Sequence, residues 1–469
     1  MDENLMNKLH QMKAALGLPG NLKNAEKLVE KRKQTGLNNN TNNTLSQKRY
    51  ERENGLDRGP VINLFYRTQY NIDKYESKIG EQRGRIVNTP FGEHIIFEKQ
   101  YPLEFQHGKC SLKNCLCLKR DTLSYMGETG KSDIRSFLFL DTETTGLNGG
   151  AGTIPFLIGT GYYDCSGFHL AQYFVGDFHQ EEAVLYSLNT LLKQFKGVVT
   201  FNGKAFDWPL IKDRFTLHKM QFSLKEPYHI DLLYPARKLW KERINSCSLI
   251  NLEKRILEFH RFNDIPGYLI PGLYFQYLNS LDWSCINPII NHNTLDILSM
   301  VSLTSKIGKA IEDPLGKGAN CGTEWFALGK IFEGRGNVRE SEKCYQAAAK
   351  TAEGGKNKEA LLRLAQMYKR NKSWEKAVYV WLQSVEENVQ TIEPFIELAK
   401  YYEHREKNIE LAVKYTEKAM HLLNNRFLMF KMIPDQQLVE KIEHRLLRLR
   451  KKKTRRSFDV KPGLIPGKT

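Results

Sequence analysis

The most constraining feature of this sequence is an apolar run that ends in two acids. Residues Phe137–Leu140 are followed at once by Asp141 and Glu143, and then by a Thr-Thr-Gly turn. A short, aromatic-rich apolar run predicts a buried strand, and side chains alternate across a strand, so both carboxylates share one face. Buried carboxylates are costly unless a cation binds them, and their hard oxygens suit Mg²⁺ or Mn²⁺. The other interpretation is an ordinary Asp-x-Glu that ends a strand in a turn.

The segments after this strand predict an α/β domain. Apolar and amphipathic patterns indicate two strands, a helix and a third strand, at Ile154–Tyr163, Phe168–Val175, Glu181–Phe195 and Gly197–Phe201. Asp207 follows the third strand and Pro209 fits a first helical turn, so Asp207 is expected at a helix start beside a strand end. On a later predicted helix, Asn291–Leu303, His292 and Asp296 are four residues apart and share a face.

Three motifs in chain order resemble those of a known superfamily. They are Asp141-x-Glu143, Asn202-x-x-x-Phe206-Asp207 and His292-x-x-x-Asp296. In this order they resemble the three exonuclease motifs of the DEDD superfamily, on an RNase H-like fold. The amino-acid sequence around these motifs is more similar still to the YprB-type RNase H-like domain, in segments 201–210, 229–233, 264–267 and 292–299. The resemblance implies an α/β domain in which helices flank a mixed sheet.

The resemblance implies a metal-dependent 3′→5′ exonuclease that releases nucleotides from single-stranded ends. The implied ligands of two Mg²⁺ or Mn²⁺ ions are four carboxylates, Asp141, Glu143, Asp207 and Asp296. Two ions activate the attacking water, relieve charge on the phosphate and help the leaving oxygen depart. The residues implied to contact the substrate are Thr144, Thr145, Gly146, Leu147 and Asn202. A supporting or packing role is the alternative for Asn202, and Asp231 is expected to support the site or to cap a turn.

His292 is the candidate general base, since an imidazole near the attacking water can accept its proton. The spacing between His292 and Asp296 departs from the pattern of that superfamily. Three residues separate His292 from Asp296, where the His-bearing branch of the superfamily usually has four. Three is the spacing of the Tyr-bearing branch, so a positioning or packing role for His292 stays open.

Charge and cysteine content narrow the classes of partner. The 469 residues carry 70 Lys and Arg against 53 Asp and Glu, a formal net charge of +17, which favours an anionic partner such as nucleic acid. We find no apolar window long enough to predict a membrane span and no secretory signal. Eight scattered cysteines are typical of reduced thiols in the cytoplasm. A zinc site is an alternative for one group, although its spacing matches no paired CxxC pattern: His107, Cys110, Cys115 and Cys117.

Changes in composition along the chain predict five regions. Residues 1–60 predict a flexible basic arm, because the polar run Asn38–Thr44 has nothing to bury. Residues 61–135 predict a small β-rich lead-in, with strands at Val61–Tyr66 and Glu93–Glu98. The remaining regions are the RNase H-like domain (136–310), a helical repeat region (324–425) and a basic C-terminal tail (426–469).

The repeat region shows one pattern three times. Trp325–Phe332 recurs as Leu361–Tyr368 and as Phe395–Tyr402, with a small residue at the same place in each: Gly329, Ala365 and Ala399. The pattern resembles the tetratricopeptide repeat, whose stacked helix pairs present a concave face to a protein partner. A generic helical bundle is the alternative.

The tail and the site leave two function classes open. The segment Lys441–Arg456 holds nine Lys and Arg and one acidic residue, which favours a nucleic-acid contact over a solvated helix end. The first class is the single-strand exonuclease. The second is a nucleic-acid-binding or adaptor protein that acts through its repeats, with a weak or idle nuclease fold. The four carboxylates favour the enzyme, and no residue in the sequence distinguishes RNA from DNA.

Overall fold

The fold is built on a mixed seven-stranded sheet. The computed structural model describes residues 84–459, apart from 147–151, 225, 352–355, 387–390 and 431–434. The strands are β1 Gly84–Thr89, β2 Gly92–Tyr101, β3 Gln106–His107, β4 Cys110–Ser111, β5 Phe137–Thr144, β6 Pro155–Tyr163, β7 Phe168–Phe174, β8 Gly197–Thr200 and β9 Tyr228–Asp231. The sheet order is β1-β2-β7-β6-β5-β8-β9, and β3 pairs with β4 in a separate hairpin.

Strand β5 lies inside the sheet and carries the first two predicted acids. It pairs antiparallel with β6 and parallel with β8. The side chains of Phe137–Leu140 are fully buried, and burial decreases from Asp141 onward. The predicted buried strand is therefore confirmed. It brings Asp141 and Glu143 to the end of the apolar core, where water and ions can reach them.

Helices flank this sheet in the described part of the chain. Their bounds are α1 Lys113–Leu116, α2 Arg120–Ser124, α3 Glu181–Leu192, α4 Asp207–Leu217, α5 Leu233–Trp240, α6 Leu249–Leu252, α7 Ile270–Ser280 and α8 Asn287–Glu312. A π-helical turn, Glu253–Leu257, continues α6. Helix α8 packs against β5 and β6 and is 26 residues long. Most of it is buried, because its apolar side chains spread around the helix rather than along one stripe.

The observed elements confirm the predicted fold class, a mixed α/β domain followed by helices. The strand predicted at Glu93–Glu98 lies within β2, which pairs with β7. Two strands of the predicted lead-in thus extend the main sheet. The predicted arm at 1–60 and the strand at Val61–Tyr66 lie outside the described residues.

The C-terminal region consists of helices packed in consecutive pairs. They are α9 Gly322–Gly334, α10 Val338–Lys350, α11 Asn357–Arg370, α12 Trp374–Glu386, α13 Glu393–His404, α14 Ile409–Phe430 and α15 Gln436–Asp459. Helices α9 and α10, α11 and α12, and α13 and α14 pack against each other. Ala365 and Ala399 are fully buried, and a Cβ on Gly329 would lie 2.6 Å from the Tyr345 ring. The small residues of the repeat therefore lie at close helix contacts.

Helix α9 joins this region to the α/β domain within one compact unit, Ile79–Thr469. Glu324 on α9 is buried and accepts hydrogen bonds from the Trp240 indole Nε1 at 3.0 Å and from Arg243. A buried carboxylate with several donors is a specific contact, so the helix pairs are anchored on α5. Across the described residues, no helix is both long and apolar enough to cross a membrane.

Candidate active site

Asp141 is held by a chain of buried amides. Asp141 pairs with Gly159 across the β5–β6 ladder, and its Oδ2 accepts a hydrogen bond from Asn293 Nδ2 at 2.9 Å. Asn293 is fully buried on α8, and Gln172 Nε2 donates to its Oδ1 at 2.8 Å. Gly159 makes room for this chain, because a Cβ there would lie 2.0 Å from Asn293 Oδ1. Asp141 therefore has a set orientation.

Asp207 begins α4, as the sequence predicts. Its Oδ1 accepts a hydrogen bond from Thr142 Oγ1 at 2.5 Å, which ties it to β5. The preceding turn needs a left-handed residue, and Asn202 adopts φ 67° there. Buried Asp231 closes that turn by accepting from the backbone N–H of Asn202 at 2.8 Å and of Lys204 at 3.1 Å. In the structure Asp231 caps the turn and Asn202 supplies its unusual backbone conformation.

His292 and Asp296 share one face of α8, as predicted. The His292 Nε2 atom lies 3.5 Å from Asp296 Oδ2. On the other side of the ring, Nδ1 lies 2.8 Å from Oδ1 and 3.0 Å from Oδ2 of Asp264. An ionised carboxylate only accepts hydrogen bonds, so we assign the proton to Nδ1, although Arg261 Nη1 also lies 3.4 Å from this atom. In the neutral ring Nε2 then presents a lone pair toward the acids of the site.

The fold brings together a set of side chains suited to a metal ion. One ligand atom each from Glu143, His292 and Asp296 lies within 4.8 Å of the others, and this is the one such group in the part of the chain that the structure describes. Glu143 comes from β5, and the other two come from α8. Asp141 and Asp207 lie outside this group. Both nevertheless interact with it electrostatically. Besides burial, the charge of Asp207 raises the pKa of Asp141 and of Glu143, and the charge of Glu143 raises the pKa of Asp141.

Burial and crowding of these acids raise their pKa values. Burial, followed by the charges of Asp296, Asp207 and Glu143, raises the pKa of Asp141 well above its usual value. Burial and then the charges of Asp296 and Asp207 likewise raise the pKa of Glu143, and burial raises the pKa of Asp207 to about 6 despite the hydrogen bond from Thr142. A divalent cation would relieve both the burial cost and the repulsion. The hard oxygen donors and the excess negative charge therefore fit Mg²⁺ or Mn²⁺.

A buried arginine lies among these acids, and the sequence did not reveal it. The Arg261 side chain is 5% exposed and forms ion pairs with Glu253, Asp264 and Asp296. Burial would lower its pKa, but the hydrogen bonds to Glu253 and the charge of Asp296 raise the pKa above its usual value. The only feature of the sequence that pointed to this cluster was segment 264–267, which contributed to the family resemblance without a predicted role for Asp264. Asn293 was likewise present in a motif but had no predicted function.

A cavity of about 470 Å³ opens beside Asp207. Three of the predicted substrate residues line it: Thr144, Gly146 and Asn202. Thr145 instead closes the β5–β6 connection, where its Oγ1 accepts from the Ile154 N–H at 3.0 Å. Leu147 lies outside the described residues. Phe206, which was not predicted as a site residue, lines the same cavity and is 59% exposed.

The cysteine-rich segment does not assemble as a metal site in the described structure. No three of the four candidate side chains form a group of close ligand atoms. His107 is buried, its Nε2 lies 2.7 Å from Ser299 Oγ, and burial lowers its pKa to about 4. Cys110 and Cys115 are buried free thiols, and Cys117 is exposed. His107 and Cys110 belong to the β3–β4 hairpin, which packs against α8.

Comparisons with known proteins agree with this architecture. The RNase H superfamily model matches residues 138–307, from β5 through most of α8. The chain is 31% identical over 374 residues to "Uncharacterized protein YprB" of Bacillus subtilis (strain 168), which covers 74% of this chain and 90% of the relative. The chain belongs to the YprB family. Its sheet and α8 form an RNase H-like domain, and this fold supports a nuclease that acts on nucleic acid and uses divalent metal.

Proposed function

We propose that this protein is a metal-dependent 3′→5′ exonuclease that hydrolyses phosphodiester bonds at single-stranded ends. The observation that carries the proposal is the convergence of Glu143, His292 and Asp296 next to Asp141 and Asp207. This arrangement lies at the end of a buried strand and beside a cavity. It combines several cation ligands with a histidine that can accept a proton.

In this proposal four carboxylates hold two ions: Asp141, Glu143, Asp207 and Asp296. Bound divalent ions would acidify water and neutralise charge on the phosphate. His292 Nε2 takes a proton from the attacking water, while Asp264 keeps the ring oriented through Nδ1–H. The water oxygen bonds to phosphorus as the bond to the 3′ oxygen of the preceding nucleotide breaks. That oxygen keeps the electron pair and takes a proton from solvent, which leaves a shortened strand with a 3′-hydroxyl and a nucleoside 5′-monophosphate.

The cavity beside Asp207 is the proposed place of the terminal nucleotide. Its walls combine the hydroxyl of Thr144 with the exposed ring of Phe206. Bases stack on exposed aromatic rings regardless of sequence, and an unpaired base is free to do so. The Thr144 hydroxyl already donates to Gly146 O at 2.8 Å, which shapes the wall. These features support a single-stranded end as the substrate.

The decisive experiment is digestion of matched DNA and RNA single strands labelled at the 5′ end, with Mg²⁺, with Mn²⁺ or with chelator. We expect a ladder of successively shorter labelled products with either metal and none with chelator. A circular single strand of the same sequence is the control and should stay intact. Cleavage of the circle would indicate an endonuclease. Intact linear strands under all conditions would favour the alternative, a binding or adaptor protein.

The repeats and the tail are the proposed binding surfaces. The tetratricopeptide-like helix pairs would take a protein partner, and a cytoplasmic location stays a prediction from sequence. The basic helix α15 is packed into the fold: Leu449 is fully buried, and Arg445 and Arg448 form ion pairs with the buried Glu403. Truncation would therefore damage packing. Exposed basic side chains that take no part in this packing, such as Lys451, are the proposed contacts for phosphate.

We predict that the double substitution Lys451→Gln and Arg455→Gln weakens single-strand binding several-fold and leaves turnover at saturation unchanged. Both side chains are exposed. The slope of log K against log salt should become shallower by roughly 0.7 for each phosphate that the variant no longer neutralises. The measurement is affinity over a salt series. The control is the double substitution Lys113→Gln and Arg120→Gln, at two exposed residues that are far from the tail in the sequence. Equal slopes for all three proteins would contradict a role of the tail in binding.

A further inference from the structure

We infer that Arg261 is a built-in cation that competes with divalent ions for Asp296 and so limits cation binding on that side of the site. This inference rests on the proposed function, because it concerns the same centre. Arg261 would be a positioning residue, since it acts through the carboxylates rather than on the substrate.

The donors of Arg261 are already used. Its Nε lies 2.7 Å from Glu253 Oε2, and one terminal nitrogen, Nη2, lies 2.5 Å from Glu253 Oε1 and also donates to Asp296 Oδ1. The other, Nη1, lies 3.0 Å from Asp264 Oδ2. A guanidinium has five N–H groups, and four of them are accounted for by carboxylate oxygens. Nη1 also lies 3.4 Å from His292 Nδ1, so little remains with which to bind a phosphate.

Burial leads to the same conclusion. The Arg261 side chain is 5% exposed, and its two main partners are 1% (Glu253) and 14% (Asp296) exposed. The cavity proposed for the terminal nucleotide is lined by other residues, among them Phe206 and Thr142. A guanidinium in this place acts on its neighbours by charge and geometry. It therefore differs from an arginine that reaches out to a substrate phosphate.

The two oxygens of Asp296 have different neighbours. Oδ1 is occupied by Arg261, while Oδ2 faces His292 Nε2 at 3.5 Å. In the neutral ring the Nε2 lone pair faces Oδ2, and a water between the two atoms can donate a hydrogen bond to each. Arg261 thus leaves one oxygen of Asp296 for an incoming ion. A second ion on this side would compete with the guanidinium for Oδ1.

The origin of the competition is the local charge. Three carboxylates surround Arg261, and they outnumber it by two charges if all are ionised: Glu253, Asp264 and Asp296. Removing the arginine leaves all three without their cation in a buried place, where like charges repel strongly. A divalent ion is the nearest replacement. Removing Glu253 has the opposite effect, because it leaves Arg261 with fewer partners and strengthens its pairing with Asp296.

The test is Mn²⁺ binding to the full chain without substrate, followed by calorimetry and by the electron paramagnetic resonance of free Mn²⁺. We expect Arg261→Gln to bind Mn²⁺ on the order of tenfold tighter or to take up an additional ion. Glu253→Gln should bind it several-fold more weakly. Arg261→Lys keeps the charge and loses the planar guanidinium, so its Mn²⁺ affinity should be close to that of wild type. Opposite signs for the two Gln variants are the signature of competition.

The matched control is Arg214→Gln. Arg214 forms a buried ion pair with Glu181, with 6% and 3% side-chain exposure, in the same domain. Its loss should destabilise the fold to a similar extent and leave Mn²⁺ binding unchanged. If Arg261→Gln does not fold without metal, its recovery by Mn²⁺ during refolding would itself support the inference, provided that Arg214→Gln shows no such recovery.

Three results would overturn the inference. Unchanged or weaker Mn²⁺ binding by Arg261→Gln would show that its charge does not compete with the ion. The same shift in Arg214→Gln would show a general effect of reduced stability. A wild-type chain that takes up no Mn²⁺ would overturn both this inference and the proposed function. A wild type that binds Mn²⁺ but cleaves no strand would overturn the proposed function alone.

Discussion

Neutral groups hold one half of the candidate site, and charged groups hold the other. On the β5 side, an amide from Asn293 holds Asp141, and the hydroxyl of Thr142 holds Asp207. On the α8 side, a guanidinium holds Asp296, and a carboxylate orients His292. Neutral donors position a carboxylate without cancelling its charge. The two halves should therefore respond differently to metal, to pH and to substitution.

The difference shows which half depends on a bound ion. Neutral hydrogen bonds leave the crowding of Asp141 and Asp207 uncorrected, and the pKa of each carboxyl is raised, mainly by burial. The α8 half has Arg261 as a resident cation. We therefore expect the β5 half to need a divalent ion in order to stay ionised. The α8 half should keep its geometry with or without the ion.

The largest expected effect tests the β5 half. Asp141→Ala and Asp207→Ala should each reduce hydrolysis to background with either metal, because each removes a proposed ion ligand. The fold should remain intact, since each change relieves charge crowding. Single-strand digestion and circular dichroism are the measurements, and the control is Asp282→Ala, a helix cap with an ordinary turn contact. Undiminished cleavage in either variant would end the two-ion assignment.

His292 tests the α8 half. A general base typically accelerates the reaction by about 10²–10⁴-fold, so His292→Ala should lower the rate of hydrolysis by that factor. The acidic limb of the pH–rate profile should flatten too, because a protonated imidazole cannot accept the proton of the attacking water. The assay is turnover across pH for His292→Ala and His292→Tyr. A Tyr variant with wild-type rate and pH dependence would support the positioning role and rule out the base.

A smaller effect tests the amide chain. Gly159→Ala places a methyl group 2.0 Å from Asn293 Oδ1, so Asn293 must move and release Asp141. Misplacing a catalytic group by about 1 Å costs up to roughly 10²-fold in rate, and we expect a loss of this order at most. The matched control is Gly161→Ala on the same strand, where the new Cβ meets Phe168 instead. Both variants should lose stability, but only Gly159→Ala should lose activity beyond that.

The smallest effect concerns stability and pH. The folded pKa of Asp207 is about 6, above its usual 3.8, so the folded state binds this proton more tightly than the unfolded state. Its stabilising effect is complete below pH 3.8 and is lost as pH rises through about 6. Without metal, Asp207→Asn should be more stable than wild type at pH 8, by roughly 1–3 kcal/mol, with a smaller difference at pH 4.

Denaturant unfolding with chelator at both pH values measures this difference. Added Mg²⁺ should reverse the order at pH 8, because the wild-type carboxylate can bind the ion and the amide binds it poorly. Thr144→Ala, a cavity residue without a charge, is the control and should show no such pH dependence. An Asp207→Asn protein that is less stable than wild type at pH 8 without metal would contradict the raised pKa.

The sequence by itself determined the parts of the site that belong to one element. An apolar run followed by alternating acids predicted both β5 and the shared face of Asp141 and Glu143. Helical spacing put His292 and Asp296 on one face, and the Pro at the start of α4 located Asp207 at a helix start. Strand and helix periods relate residues close in sequence, so these placements follow from local pattern. The family resemblance ordered them into one domain.

Only the tertiary structure decided what surrounds those acids. Arg261 reaches Asp296 across 35 residues, and Asn293 reaches Asp141 across 152. In the sequence Arg261 is one of many basic residues outside a periodic element, and nothing local distinguishes it from a solvated side chain. A periodic pattern fixes which face a residue lies on. The loop that covers that face, and the charge it brings, depends on packing between distant segments, which is why the cation among the acids became visible only in the fold.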